Sequence, residues 1–180
     1  MKYILDTMRL RLREFVPDDA PFIIELVNTR GWIENIGDRN IHTYEDAIRY
    51  IQNGPMRSYA MHGFGLYLVE KKEDDAPIGM CGILRRDYLE IPDIGFAFLP
   101  EYHRMGFAYE VARATINYAR EQLGIPAMSA ITLAKNSSSI KLLGKLGLSF
   151  RKIVHIKETD EDLLLFNNDI PDDAVSSFPK

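Results

Sequence analysis

The alternation of apolar and polar residues predicts a series of strands. Residues 7–15 alternate with the period of a half-buried strand. One face carries Met8, Leu10 and Leu12, and the other carries Arg9, Arg11 and Arg13. We interpret the arginines as a solvated strand face, with an anion site as the alternative. Six further strands are predicted, at residues 63–71, 77–85, 93–99, 127–134, 148–157 and 163–166.

Apolar residues at helical spacing predict four helices. The first begins at Pro17 and is broken by Gly31. The second spans 44–53, with Thr43 as its N-cap and Asn53-Gly54-Pro55 as its end. The third runs from Gly106 to about Leu123, and the fourth begins at Asn136 or Ser138 and stops at Gly147. Segment 31–42 is predicted as a loop, in which Trp32 either completes a core or lines a substrate cleft.

The order of these elements predicts a mixed sheet. The strands at 63–71, 77–85 and 93–99 have short links, which is typical of an antiparallel meander. The helix between 93–99 and 127–134 is long enough to place those two strands parallel.

Residues 94–111 combine a strand, a loop containing Gly106 and the start of a helix. Unpaired N–H groups at a helix N-terminus point the same way and favour an anion, and a glycine allows close approach of the backbone. Many such junctions bind nothing, so this stretch alone leaves both interpretations open.

Composition narrows the classes of function. The 180-residue chain is 46% hydrophobic with a net charge of −4, so we expect no direct nucleic-acid partner and no membrane partner. We expect a cytoplasmic protein, because no signal peptide and no apolar run of membrane length is evident. The single cysteine, Cys81, lies in an apolar run and is interpreted as a buried apolar residue, which fits a reducing compartment. The four histidines are scattered, so no metal site is predicted.

Four stretches together resemble the GNAT acetyltransferases. His103-Arg104-Met105-Gly106-Phe107-Ala108 is similar to the Q/R-x-x-G-x-G/A motif, and Asp93-Ile94-Gly95-Phe96 to the E-I-G-Y that leads into it. The stretch from Asn136 to Leu148 resembles N-x-x-S-x-x-x-x-x-K-x-G-F. Residues 7–13 resemble the T-x-R-L-x-L-R opening of the RimJ/RimL-like branch. Three positions depart from the pattern: His103, Tyr109 and Leu148.

The resemblance implies an α/β fold, an α+β mixed sheet of seven strands flanked by about four helices, in a single domain at residues 1–168 with a loose C-terminal tail at 169–180. It implies acetyl-CoA as co-substrate and no metal. Pyrophosphate would lie on the backbone of residues 104–109. The residues implied in cofactor binding are Ala97, Phe98, Leu99, His103, Arg104, Met105, Gly106, Phe107, Ala108, Tyr109, Asn136 and Ser139.

The resemblance also implies direct transfer of an acetyl group to a primary amine. Asp93 is the candidate general base, with a solvated strand-edge carboxylate as the alternative, and His103 is a second candidate for the base. An N–H near Phe98 would polarise the thioester carbonyl. Ser139 is a candidate proton donor to the thiolate, or a hydroxyl bonded to cofactor or backbone.

The acceptor is expected to be a protein N-terminus, such as that of a ribosomal protein, or a small molecule. The protein is expected to be a monomer or a homodimer. The alternative function is a non-catalytic acyl-CoA-binding or regulatory module of the same fold.

Overall fold

A computed structural model describes residues 1–157 and 159–168 of the chain. Its strands are β1 (Tyr3–Asp6), β2 (Leu10–Arg13), β3 (Leu66–Lys71), β4 (Pro77–Leu84), β5 (Asp93–Phe98), β6 (Ser129–Thr132), β7 (Ser149–Ile156) and β8 (Glu161–Asn167). These strands form one sheet in the order β1-β2-β3-β4-β5-β6-β8-β7. Within the described ranges every neighbouring pair is antiparallel except β5 and β6, as the meander and the crossover predicted.

The sheet has eight strands in the described part of the chain, so the expected number of seven was wrong by one. The additional strand is β1, which pairs with β2 through a turn. It was missed because its sequence, YILD, shows no alternation of apolar and polar residues. Met8 lies in that turn with 84% of its surface exposed, so its assignment to the apolar face of the strand was also wrong.

The α-helices are α1 (Ala20–Val27), α2 (Arg30–Asn35), α3 (Tyr44–Ile51), α4 (Arg57–His62), α5 (Phe107–Gln122) and α6 (Ser137–Lys145). Short 3-10 turns occur at Pro17–Asp19 and Pro100–Tyr102. Thr43 caps α3 as predicted, accepting a hydrogen bond from the Asp46 N–H. The predicted start of α5 at Gly106 is confirmed to within one residue, since Gly106 is the N-cap of that helix. Of the two candidate caps of α6, Asn136 is the observed one.

Two helical segments were not predicted from the sequence. Segment 31–42 contains most of α2, because Thr29 caps this helix through the Trp32 N–H and Gly31 is tolerated on its exposed side. Helix α3 does not end at Asn53-Gly54-Pro55 either, since a π-helical turn at Gln52–Met56 carries the chain directly into α4. The wider turn accommodates the proline, which lacks an N–H for the regular helical ladder.

A hydrophobic core lies on each face of the sheet. The first packs α5 and α6 against strand residues that include Tyr67, Ile94 and Phe98. The second packs α1 and α3 against the other face and includes Trp32, which therefore completes a core. Cys81 is buried as predicted, and burial raises the pKa of its thiol to about 12.

The three arginines that alternate along the N-terminal strand all pair with carboxylates. Arg13 is 4% exposed and donates to Asp19 and Glu70, so the interpretation of the arginines as a solvated strand face was wrong at this position. Arg11 contacts Asp75 at 3.2 Å. The tail at 169–180 lies outside the described residues, and its looseness stays a prediction.

Candidate active site

The loop between β5 and α5 has the backbone form of an anion-binding turn. Arg104 and Gly106 both have positive φ, at 62° and 83°. Gly106 is the N-cap of α5, and the Glu110 N–H is bonded to the Gly106 carbonyl at 3.0 Å. The three N–H groups between them therefore have no partner inside the helix. Left-handed residues alternating with others turn successive N–H groups toward one side, as in anion-binding nests.

The predicted side chains of this loop lie in different settings. Arg104 and Met105 are exposed, Phe107 is buried, and Ala108 and Tyr109 are half-buried. Since the N–H groups offered to an anion belong to the backbone, these differences leave the donor array intact.

His103 is fastened to the end of β5. Its Nε2 lies 3.0 Å from the Phe98 carbonyl oxygen. A carbonyl only accepts hydrogen bonds, so this contact requires the proton on Nε2. A general base acting through Nε2 would have to give up this bond. The hydrogen bond instead holds His103, the first residue of the motif at 103–108, against the end of β5.

Strand β5 presents an open edge beside β6. Within the described ranges the two strands pair only at Asp93 and Ser129, so they separate beyond that point. The Leu99 N–H donates to Ile78 on β4 at 3.0 Å, and backbone groups alternate sides along a strand. The N–H groups of Phe98 and Phe96 therefore point into the gap between β5 and β6.

Asn136 and Ser139 lie at the start of α6, just beyond the end of β6. The Asn136 Oδ1 atom accepts the Ser139 N–H at 3.1 Å, so one oxygen of the predicted pair is used to cap the helix. Since β5 and β6 are parallel, their carboxyl ends and the helices that follow lie at the same edge of the sheet. The structure thus brings the β5–α5 loop and the start of α6 to one edge.

Asp93 lies at the opposite end of β5, where the two parallel strands are still paired. It is 1% exposed, which rules out the solvated strand-edge alternative. Arg86 Nε lies 2.9 Å from Oδ1 and 3.1 Å from Oδ2. Burial raises the Asp93 pKa to about 6, because the loss of hydration outweighs the stabilisation of the carboxylate by Arg86. The carboxyl is therefore poised to exchange a proton near neutral pH.

Sequence reasoning missed two sets of contacts. Arg86, the partner of Asp93, lies in the turn before β5 and also donates to the Tyr88 hydroxyl. Glu110, in the first turn of α5, is held by the turn between β1 and β2. Glu110 lies in the stretch 94–111 that the sequence singled out. Its contact with Thr7 and Arg9 was missed because those residues are about 100 positions away in sequence.

The geometry fits CoA in two respects. The loop offers backbone donors to a pyrophosphate, and the open β5 edge offers donors to an extended amide-containing chain such as pantetheine. The part of the chain that the structure describes has no group of three or more His, Cys, Asp or Glu side chains arranged to hold a metal.

The family model described as the acetyltransferase (GNAT) domain matches residues 9–149, which is most of the chain. The chain belongs to the GNAT acetyltransferases. YoaA of Bacillus subtilis, an uncharacterized N-acetyltransferase, is 30% identical over 146 residues that cover 80% of this chain and 81% of YoaA. The match identifies the chain as an acyltransferase enzyme.

Solved GNAT structures share the fold. RimL, a ribosomal alpha-N-protein acetyltransferase in complex with coenzyme A, superposes with a TM-score of 0.79 at 13% identity, covering 94% of this chain and 98% of RimL. A chimera of spermidine N-acetyltransferase SpeG from Vibrio cholerae and hSSAT gives a TM-score of 0.71 at 14% identity, covering 88% and 94%. No helix among residues 1–157 and 159–168 is long and apolar enough to cross a membrane.

Proposed function

We propose that this GNAT enzyme transfers the acetyl group of acetyl-CoA directly to a primary amine. The observation that carries the proposal is the gap between β5 and β6, which opens beside the left-handed loop at the start of α5. Such a gap admits an extended chain whose anionic end reaches a helix N-terminus. The non-catalytic module has no specific observation in its favour.

On the donor side, the pyrophosphate binds to the backbone N–H groups of residues 104–109. Pantetheine runs along Ala97, Phe98 and Leu99, and pairs with the open edge of β5. The Asn136 amide and the Ser139 hydroxyl contact the cofactor from the other side of the gap. The proposal is supported by the conformation of the loop and by the membership of the family.

The distance from Asp93 along β5 limits which backbone N–H group can polarise the thioester carbonyl. Asp93 is five residues from Phe98, roughly 16 Å along a strand, which is beyond the reach of a base. It is three residues from Phe96, roughly 10 Å, a span that the carboxyl, one water and the amine can bridge. We therefore assign the thioester carbonyl to the Phe96 N–H and leave Phe98 to the pantetheine arm.

The amine must be neutral to attack, because an ammonium has no lone pair. While the nitrogen of the neutral amine bonds to the carbonyl carbon, Asp93 takes one of the remaining amine protons through water, and it later releases this proton to solvent. The carbon–sulfur bond then breaks, and the Ser139 hydroxyl donates a proton to the departing thiolate and regains one from solvent. The products are the acetylated amine and CoA thiol.

The acceptor is a protein N-terminus, such as that of a ribosomal protein, or a small amine. RimL and the SpeG chimera share the fold and are named for a ribosomal protein and for spermidine, so the fold admits both classes. We propose that segments 32–42 and 55–62 shape the acceptor side through their exposed residues, with Trp32 supporting the first segment from the core.

The test measures CoA thiol release from acetyl-CoA with peptides bearing free N-termini, polyamines and lysine. Gly106→Leu should abolish CoA binding, because a side chain at positive φ distorts the loop and its Cβ would approach Arg9 Nη2 at 3.4 Å. Gly124→Leu is the matched control: it also has positive φ, at 65°, but its Cβ would meet no atom within 4 Å. Tight CoA binding without turnover on any amine would favour the non-catalytic module, and no CoA binding by the wild type would refute the proposal.

A further inference from the structure

The turn between β1 and β2 is bonded to the first turn of α5. Glu110 Oε1 accepts from the Thr7 hydroxyl at 2.7 Å and from the Arg9 N–H at 2.9 Å. Its other oxygen accepts from Arg9 Nε at 2.7 Å and lies 2.7 Å from Arg9 Nη2. The Thr7 hydroxyl in turn accepts the Leu10 N–H at 3.0 Å, so the turn is itself braced.

Arg9 also contacts the loop that precedes α5. Its Nη1 donates to the Met105 carbonyl at 3.1 Å, and its guanidinium lies 4.4 Å from the centre of the Phe107 ring. Met105 stands between the two left-handed residues, Arg104 and Gly106. The planar fork of a single arginine thus holds the Met105 carbonyl and the Glu110 carboxylate together.

These contacts have two consequences for an anion in the loop. A carbonyl bonded to Arg9 is turned toward the β1–β2 side, which leaves the neighbouring N–H groups free to face the anion. A carboxylate in the first turn of α5 would repel the anion, and Arg9 supplies the compensating charge. Hydrogen bonds from Thr7 and Arg9 lower the Glu110 pKa even though partial burial would raise it, so the carboxylate stays ionised.

We infer that Arg9 is a positioning residue for the CoA pyrophosphate, acting through Met105 and Glu110. The inference rests on the proposed function, because it assumes that the loop binds CoA. It gives the N-terminal T-x-R stretch a role in donor binding although that stretch lies about 100 residues from the loop in sequence.

The experiment measures CoA affinity by calorimetry for the wild type, Arg9→Gln, and Arg11→Gln as the matched control. Arg11 lies two residues later on the same hairpin, is half-buried and pairs with the exposed Asp75. Arg9→Gln should raise the CoA Kd roughly tenfold or more, the loss expected for charge-assisted bonds. Arg11→Gln should leave it within about twofold, since an exposed pair contributes little.

Arg9→Lys separates positioning from charge. A lysine restores the charge beside Glu110 but has no planar fork to hold the Met105 carbonyl as well, so it should recover only part of the affinity. Thermal unfolding of each variant without ligand identifies any variant that fails to fold. If Arg9→Gln does not fold, the CoA Kd of Arg9→Lys is compared with that of the wild type instead.

A kinetic comparison distinguishes the pyrophosphate loop from a general loss of structure. Arg9→Gln should raise KM for acetyl-CoA with little change in kcat, and it should not change KM for S-acetyl-pantetheine, which ends before the pyrophosphate. An equal rise for both donors, or an unchanged CoA Kd, would overturn the inference while leaving the proposed function intact. A wild type that binds no CoA would overturn both.

Discussion

At the scale of the single residue, Asp93 combines burial with an ion pair, and the two effects oppose each other. Loss of hydration prevails over Arg86, so the Asp93 pKa rises to about 6 instead of falling as in an exposed ion pair. Above that pH the carboxylate form dominates, which is the form that the proposed mechanism requires of a base. Below it the protonated form has no capacity to accept a proton from an amine.

We predict a two-stage pH dependence of kcat/KM. Below about pH 6 the logarithm should rise with a slope of two, because both Asp93 and the amine must lose a proton; above it the slope should fall to one, set by the amine alone. Asp93→Asn should lower kcat by roughly two to four orders of magnitude, remove the break in slope and leave the CoA Kd nearly unchanged. The measurement is a pH–rate profile on one amine.

The control for this prediction is Asp87→Asn, the same chemical change at an exposed position in the preceding turn. It should retain both the rate and the break near pH 6. A profile of Asp93→Asn that keeps its break would remove Asp93 from the mechanism and assign the titration to another group.

At the scale of the elements, Arg13 fastens β2 to β3 and to the 3-10 turn before α1. It donates to Glu70 at 2.7 Å and to both carboxylate oxygens of Asp19 at 2.8 and 2.7 Å, with its own side chain 5% exposed. Removing one partner of such a buried group leaves uncompensated charge in the interior.

Arg13→Met should therefore lower the free energy of unfolding by about 3–5 kcal/mol, the usual cost of breaking a buried pair. Arg11→Met, two residues away on the same strand, should cost about 1 kcal/mol or less, because its partner Asp75 is 72% exposed and remains hydrated when the pair is lost. Chemical denaturation of both variants provides the measurement. Equal losses would mean that the buried charges of Glu70 and Asp19 find other compensation.

The elements also show how far local sequence signals reach. Alternation and capping identified the meander, the parallel crossover and the starts of α3, α5 and α6, because those signals act within a few residues. Gly31 and Pro55 were interpreted as helix breakers, yet the Thr29 cap and a π-helical turn override them. Local propensity is a weak guide wherever a cap or a packed neighbour supplies the missing stabilisation.

In the candidate site, too, features formed by neighbouring residues could be predicted from the sequence, and features formed by distant residues could not. The loop at residues 103–109 was recognisable because its glycine and helix start are adjacent in sequence. The pairing of Glu110 with Thr7 and Arg9 joins residues about 100 positions apart. The raised pKa of Asp93 depends on burial by the whole sheet, which outweighs the effect of Arg86. Neither feature produces a recognisable pattern within a short segment of the sequence.

At the scale of the whole molecule, the sheet consists of two parts, β1–β5 and β6–β8, that within the described residues are hydrogen-bonded to each other only near Asp93 and Ser129. A pantetheine arm along β5 would act as an additional strand in the gap. Binding CoA would then stabilise the sheet at its weakest junction, and the fold gains stability in proportion to the logarithm of ligand concentration over Kd.

Amide hydrogen exchange measured by NMR tests this arrangement residue by residue. The N–H groups of Phe96 and Phe98 point into the gap. CoA should therefore slow exchange at Phe98 by more than the global stabilisation does, and acetyl-CoA, which carries the thioester carbonyl, should slow exchange at Phe96 as well. The Leu99 N–H, already bonded to Ile78 on β4, is the internal control and should show only the global effect. If CoA binds but Phe98 changes no more than Leu99, the cofactor does not pair with β5. If acetyl-CoA slows exchange at Phe96 no more than at Leu99, the assignment of the thioester to the Phe96 N–H is wrong.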